Sequence, residues 1–460
     1  MLKIVQCITL KKLVILSLIL KVTMFCFIGS WNNGGIADDR SMSYEHYAQN
    51  ILKHHSFIPV QPISINNLKP DDRWKYISFQ YDTYRMPGYP IFLAIVYLFG
   101  GINPWAAIAV QILISLISVI LVYKIAIQLT LNESIAKIAT LLFCIDIHSI
   151  FIANLLYSDT LFVLLFLTSL YYFFDGYKRK KVMQIAISSL FMVFASFTRP
   201  VSLMFPVILI AILFFFNKGA IKWGIKASAI FGVLYLTLIG GWVLRNHNVY
   251  DRWKISSTGG FNLLMYYAMS TESQITGKAP EAIKIAFQKQ ADSLGFMKMN
   301  NVFDQSDLYT KIGWDYIKVH KMQYLKTNVE GWIHMMLSLG NPDLVRMMGW
   351  EDCKGSEIVS LKLSNIANNF STKTKAATGI FIAFVLLLQY LGAVCGLCFL
   401  LVRKNYLVLF FVLATIAYYL VITGPIGTYR YKLPIVFIIC IVSGYGYYNL
   451  LNKRLESQAK

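Results

Sequence analysis

Charge is scarce in this 460-residue chain: 14% of its residues are Asp, Glu, Lys or Arg, and the 23 acids are about half as many as the 43 bases. So little charge excludes a disordered polyelectrolyte. Cysteine is also sparse. Cys7, Cys26, Cys144, Cys395, Cys398 and Cys440 fall in or beside apolar runs, and only Cys353 lies in polar sequence, so no disulfide framework is implied. Cys395 and Cys398 have redox-pair spacing, but inside an apolar helix they read as packing residues. The seven histidines (His46, His54, His55, His148, His247, His320, His334) show no metal-ligand spacing, and the pair His54-His55 reads as solvated. There is no Walker loop, dinucleotide fingerprint, His-Glu-x-x-His or Gly-x-Ser-x-Gly. Chemistry carried by those motifs is therefore excluded.

Apolar length is abundant. The chain is 57% hydrophobic, with a mean hydropathy of +0.55 and about ten stretches of membrane-spanning length. The first, 13–28, follows Lys3, Lys11 and Lys12, which places the N-terminus in the cytoplasm. A cleaved signal peptide ending at Gly29-Ser30 is the other reading, opposed by Lys21 within the run. An exported loop follows, then an apolar segment at 89–101 that is short for a span and suits a re-entrant or interfacial helix. Spans are expected at 105–123, 134–155, 160–174, 183–198, 201–216 and 227–244, then at 377–402, 405–423 and 433–451. This order gathers Lys124 and Lys137, Lys178 to Lys181, Lys218, Lys222 and Lys226, Arg403 and Lys404, and the basic tail on one side, a positive-inside pattern. The fold class expected is an all-α polytopic membrane protein in three parts: a transmembrane module over 1–245 with an exoplasmic loop at 30–88, a mostly helical exoplasmic domain at 246–375, and C-terminal spans at 376–460. The net charge of +20 then marks orientation and attraction to anionic lipid headgroups, with no nucleic-acid partner implied.

With that topology the short arginine motifs share the outer face: Arg85-Met86-Pro87-Gly88-Tyr89-Pro90, Thr198-Arg199-Pro200, Trp242 to Asn246 with Arg245, and Arg430-Tyr431-Lys432-Leu433-Pro434. Arginines that merely snorkel are expected on the inner face. Arg85, Arg199, Arg245 and Arg430 are therefore candidates for an anion, and a phosphate suits guanidinium forks. Pro87, Pro90, Pro200 and Pro434 can begin helices whose positive ends face the same anion. Among acids, Asp38 and Asp39 follow the first run, and Asp159 abuts an apolar helix where capping and function are compatible. Tyr44, Tyr47, Ala48, Ile51 and Leu52 recur at helical spacing, predicting a short amphipathic helix on the membrane surface. Asp146 and His148, inside a predicted span, read as structural. In the outer domain, Ser256 to Asn262 reads as a flexible loop, followed by helical patterns through Ile283, Phe287, Ala291 and Leu294 and through Leu308, Ile312, Tyr316 and Val319.

Taken in order, these motifs resemble the GT-C class of polytopic glycosyltransferases. They are similar to bacterial relatives of protein O-mannosyltransferases and lipid A aminoarabinose transferases, and especially to the rhizobial lipopolysaccharide galacturonosyltransferase-like branch. The branch's acidic loop and Tyr-x-x-x-Ala helix correspond to Asp38-Asp39 and Tyr44 to Ala48, and its Arg-Pro-Pro-Gly-Tyr-Pro element to Arg85 to Pro90, with Met86 in place of a proline. Its Ser/Thr-Glu/Asp-x-Leu element resembles Ser158-Asp159-Thr160-Leu161, and its Trp-x-x-Arg-Asn followed by Ser/Thr-Gly-Gly resembles Trp242 to Asn246 and Thr258-Gly259-Gly260. Thr198-Arg199-Pro200 and Arg430 to Pro434 complete the series. Arg40 stands where the family's first Asp usually lies, and Thr428 where relatives often carry an acid.

The resemblance implies inverting transfer of a sugar from a polyprenyl-phosphate donor to a glycan, lipid or protein acceptor outside the cytoplasm of a bacterial inner membrane, in cell-envelope glycan modification. Asp39, or Asp38 beside it, would be the general base. Arg85, Arg245 and Arg430, with Arg199 and Lys432 after them, would stabilise the departing lipid phosphate. Tyr44, Tyr89, Asn246 and Tyr431 would position substrate. Asp159 would orient the sugar, or hold a divalent ion if one is used; no residue pattern demands a metal or other cofactor. The rival readings are a transporter or flippase for an anionic lipid or sugar, and a polysaccharide polymerase or ligase using lipid-linked donors.

Overall fold

A computed structural model describes residues 7–27, 39–57, 83–217, 219–350 and 370–458, with the backbone alone at 39–42 and 453–458. Asp38, Cys353 and most of the exported loop lie outside the described residues, as does the side chain of Asp39.

The apolar runs fold as helices, and no strand occurs among the described residues. Helix α1 is Leu10–Phe27, α2 is Asp39–His54, α3 is Gly88–Gly100 and α4 is Pro104–Thr130. Helices α5 (Glu133–Cys144) and α6 (Ile147–Ala153) form a pair bent by 57° at a short break. Then come α7 (Asp159–Arg179), α8 (Val182–Thr198), α9 (Pro206–Phe215) and α10 (Ile221–Tyr250). Then follow α11 (Thr258–Asn262), α12 (Met269–Thr276), α13 (Pro280–Ser293), α14 (Val302–Val319), α15 (Lys321–Leu337) and α16 (Asn341–Met347). Helices α17 (Lys373–Val402), α18 (Tyr406–Thr423) and α19 (Tyr429–Gln458) return to the bundle.

By length and composition, six described helices can cross a membrane, or seven if the bent pair counts as one span. The expected spans at 13–28, 183–198 and 201–216 fall outside this count. Lysines at 11, 12 and 21 dilute α1, and the α8–α9 stretch is cut by Arg199-Pro200. Helix α3, at 13 residues, reaches only about 20 Å, short of a hydrocarbon core of about 30 Å. It buries Tyr89, Leu93, Ala94 and Tyr97 on one face and exposes Ile91, Ile95 and Phe99.

Three local expectations are corrected. The apolar face of α2 packs on protein: Tyr44 and Ala48 join Tyr89, Leu93 and Ile108 in one cluster. Pro434 lies inside α19, where its missing N–H leaves the Arg430 carbonyl without the usual helical bond. The stretch from Ser256 to Asn262 is pinned: Ser256 Oγ and Ser257 N donate to the Thr83 carbonyl at 2.9 and 3.1 Å, and Thr258 Oγ1 to that of Tyr84.

The core of the bundle is α19, whose span is 83% buried against 22% for α10. It sits against α17 through a seam of small residues. A Cβ on Gly396 would overlap the Val442 carbonyl oxygen, and one on Gly446 the Gly392 oxygen. In a membrane such close backbone approach supplies the packing that the hydrophobic effect cannot. Gly396→Leu should therefore lower stability by about 1–3 kcal/mol or more, read as earlier thermal loss of circular dichroism in detergent. Gly240→Ala is the control, since a Cβ there meets nothing within 4 Å.

Candidate functional site

Asp159 is the first residue of α7, where a carboxylate is favoured by the helix dipole. It is fully buried, and each of its oxygens faces a guanidinium. Oδ1 pairs with Arg199, and Oδ2 accepts from Arg430 Nε at 2.8 Å and Nη2 at 2.6 Å. Arg199 caps the end of α8, and Arg430 is the second residue of α19. Three helix ends are thus tied together by one carboxylate. Arg430 also lies over the Tyr157 ring at 4.2 Å, and Arg199 stands 5.5 Å from the Tyr431 ring.

Arg85 joins from the α2 side. Its Nε donates to Ser43 Oγ at 3.0 Å, and its guanidinium lies 4.7 Å from the Tyr44 ring and 5.2 Å from that of Tyr84. The Tyr44 hydroxyl pairs with Ser158 Oγ at 3.1 Å, next to Asp159. Gly88 makes this juncture possible: a Cβ there would stand 2.7 Å from Thr198 Oγ1 and 2.9 Å from the Phe197 carbonyl, so only glycine lets the Arg85 segment lie against the Arg199 segment. Among these side chains, three guanidiniums oppose one carboxylate, a surplus of two positive charges. Their electrostatic effect is visible at Tyr44. Burial pushes its phenol up, yet Arg85 and then Arg430, the Ser158 hydrogen bond and Arg199 bring it below the ordinary 10.0.

The other expected residues are dispersed around this cluster. Asp39 opens α2, one turn before Ser43, which places its backbone near the Arg85 contact. Tyr89 is buried beneath Tyr44, ring centroids 4.9 Å apart, and its hydroxyl donates to Gln111. Arg245 stands over Trp242 at 5.0 Å and donates to Asn246 Oδ1, and Trp242 faces Phe197 across 6.1 Å. The Asn246 amide clamps the following turn through the carbonyls of Lys254 and Ile255. Lys432 is two residues from Arg430, so the helix turns it about 200° away. It is buried, donates to the Met336 carbonyl at 3.5 Å, and feels the charge of Asp146.

Asp146 does not bond to an arginine. It caps α6 through Ser149 N at 2.8 Å and accepts from Gln389 at 3.2 Å, while His148 stacks on Tyr429 and bonds to the Leu339 carbonyl. These contacts tie α6 to α17 and α19. Sequence reading gave no site role to the partners Ser43, Tyr157 and Ser158 or to the buried Lys21, which also feels Asp146. Lysine inside an apolar run was the available signal. Neither oxygen of Asp159 is turned to open space, so a divalent ion there would have to displace an arginine. No group of three metal-type side chains occurs among the described residues.

The lysine turns lie at the far ends of the same helices. Helix α7 runs from Asp159 to Arg179, and at that far end Lys178 bonds to the Gln128 carbonyl and Lys180 to Asn217.

Asp159→Ala should destabilise the protein by about 3–5 kcal/mol, because two buried guanidiniums lose their counter-charge; denaturant unfolding in detergent measures it. The depressed Tyr44 phenol ionises in the folded protein before it would in the unfolded chain. Its contribution to stability is thus full above the ordinary 10.0 and is lost as pH falls through the depressed value. In an absorbance titration, the difference between the native chain and Tyr44→Phe should show one tyrosinate forming early.

Residues 82–283, less than half of the chain, match the Alg9-like mannosyltransferase family. Among curated proteins no sequence match was found. The fold is similar to that of the oligosaccharyltransferase AglB of Archaeoglobus fulgidus in complex with an inhibitory peptide and a dolichol-phosphate, with a TM-score of 0.57 and 12% identity over 98% of this chain. It is also similar to the apo form (TM-score 0.56, 12% identity, 98% of this chain) and to a complex with Zn and sulfate (0.52, 11%, 96%). The chain spans about half the length of these proteins, 51, 51 and 49%. At 11–12% identity the likeness to AglB is one of fold, and the family match is confined to residues 82–283.

Proposed function

We propose that this chain transfers a sugar from a polyprenyl-phosphate donor to an acceptor on the face of the membrane opposite the lysine turns. The carrying observation is the pairing of Arg199 and Arg430 with Asp159, with Arg85 joined to them through Tyr44 and Ser158 at one end of the bundle. Such a site is pre-arranged for an anion at the depth of a lipid headgroup, and its guanidiniums stay charged when partly desolvated. The Alg9-like match and the likeness to AglB, whose structure holds a dolichol-phosphate, agree with a lipid-linked donor.

In the proposed step the acceptor oxygen or nitrogen bonds to the anomeric carbon from the face opposite the phosphate. The carbon–oxygen bond to phosphate breaks, its electron pair leaves with the lipid phosphate, and the acceptor proton passes to Asp39, with Asp38 the neighbouring alternative. Arg85 and Arg430 stabilise the leaving phosphate, Arg245 joins them from α10, and Arg199 and Lys432 contribute less. Asp159 holds the guanidiniums in register and orients the sugar; Tyr44, Tyr89, Asn246 and Tyr431 shape the pocket. We place the enzyme in a bacterial inner membrane with both termini cytoplasmic, in the lipopolysaccharide-type branch, and assign residues 246–375 to covering the site or selecting the acceptor.

The break at Asp146, with Lys432 and Lys21 near it, is the one observation that favours a transporter for an anionic lipid or sugar. Transfer of labelled sugar from a polyprenyl-phosphate donor by purified protein in detergent decides between them. Activity with a nucleotide sugar and none with the lipid donor would overturn the proposal. Asp39→Asn is expected to abolish turnover while donor binding persists, and Arg430→Ala to lower kcat by roughly 10²–10³-fold.

A further inference from the structure

Helix α15 is built inside out. Its polar side chains face the protein: Gln323 and Thr327 donate to Gln274, Glu330 accepts from Gln274, and His334 bonds to the Gly427 carbonyl. Its exposed face carries Met322 (78%), Leu325 (53%), Val329 (40%), Ile333 (39%) and Leu337 (57%), spaced by three or four residues along a single stripe. A helix facing water would show the opposite arrangement.

Two further observations identify what covers this face. Gly331 and His334 press against the turn at residues 424–427 that joins α18 to α19, so the stripe sits level with the ends of two membrane-spanning helices. At that level the end of α18 also exposes apolar side chains, Val421 and Ile422, and Tyr267 bonds to the Ile422 carbonyl. At the other end, the stripe gives way to the exposed Lys321 and Lys326, with Lys318 close by on α14. An exposed apolar stripe on a helix packed at the ends of two membrane-spanning helices, ending in lysines, fits the boundary between acyl chains and anionic headgroups.

We propose that α15 is an interfacial helix, its Leu325–Leu337 stripe inserted in the leaflet on the side of the arginine cluster and its lysines on anionic phospholipid headgroups. The outer domain is then seated on the bilayer through α15, and the turn leading into Arg430 is held between this helix and the bundle. This assignment does not depend on the reaction proposed above.

The test uses the intact chain, one copy per lipid nanodisc of phosphatidylethanolamine and phosphatidylglycerol, with a fraction of the phosphatidylglycerol carrying a diazirine in its acyl chain. After photolysis, mass spectrometry should find adducts along residues 325–337 as dense as those at Val421, and few at Leu294, an exposed apolar residue of the outer domain. Val329→Lys with Ile333→Lys alters only exposed positions and should remove most of the stripe's adducts while those at Val421 persist. Reversing Lys321 or Lys326 to Glu should lower stripe labelling by up to roughly fivefold in anionic discs. A stripe without adducts beside a labelled Val421 overturns the proposal. So does a stripe that is shielded because two copies pair through it, detected as a crosslinked dimer in detergent.

Discussion

The Asp159 carboxylate between Arg199 and Arg430 is the constraint on which the rest of the site depends. Three helix ends that are distant in sequence carry like or opposing charges into a buried place, and only their mutual neutralisation makes that burial tolerable. A guanidinium left alone there would cost several kcal/mol in desolvation. Asp159 therefore sets where α7, α8 and α19 end relative to one another, before any ligand arrives. The surplus positive charge with Arg85 then presents an arrangement complementary to an anion.

Around this tie the fold supplies close approaches. Gly88 lets the segment bearing Arg85 lie against the end of α8, and the serine-threonine turn at 256–258 holds Thr83 and Tyr84 from the other side. Gly392, Gly396 and Gly446 bring α17 and α19 into backbone contact, which steadies the helix that carries Arg430. A second buried polar group, Asp146 with Lys432 and Lys21, lies on the opposite face of α19, and His148 stacks on Tyr429 beside Arg430. The start of α19 is thus braced from two sides by ionisable residues, an arrangement a soluble core would seldom need. An inverted α15 leaning on the 424–427 turn adds a third contact at the same place.

What could be read from the chain alone was whatever acts locally. Apolar length produced the helices, lysine-rich turns separated one end of the bundle from the other, and short motifs marked Arg85, Asp159, Arg199 and Arg430, because proline, glycine and charge at helix ends are local signals. Three expected spans fall outside the count of long apolar helices because lysines interrupt one and Arg199-Pro200 separates the other two. Tertiary packing decided the rest: that Asp159 serves as the shared counter-ion of two arginines, that Lys432 turns away from Arg430 toward Asp146, and that the polar face of α15 points inward. These outcomes depend on which side chains meet across about 40 to 290 residues of sequence. Electrostatic pairing in a buried, low-dielectric place is settled by that meeting and has no signature in local spacing.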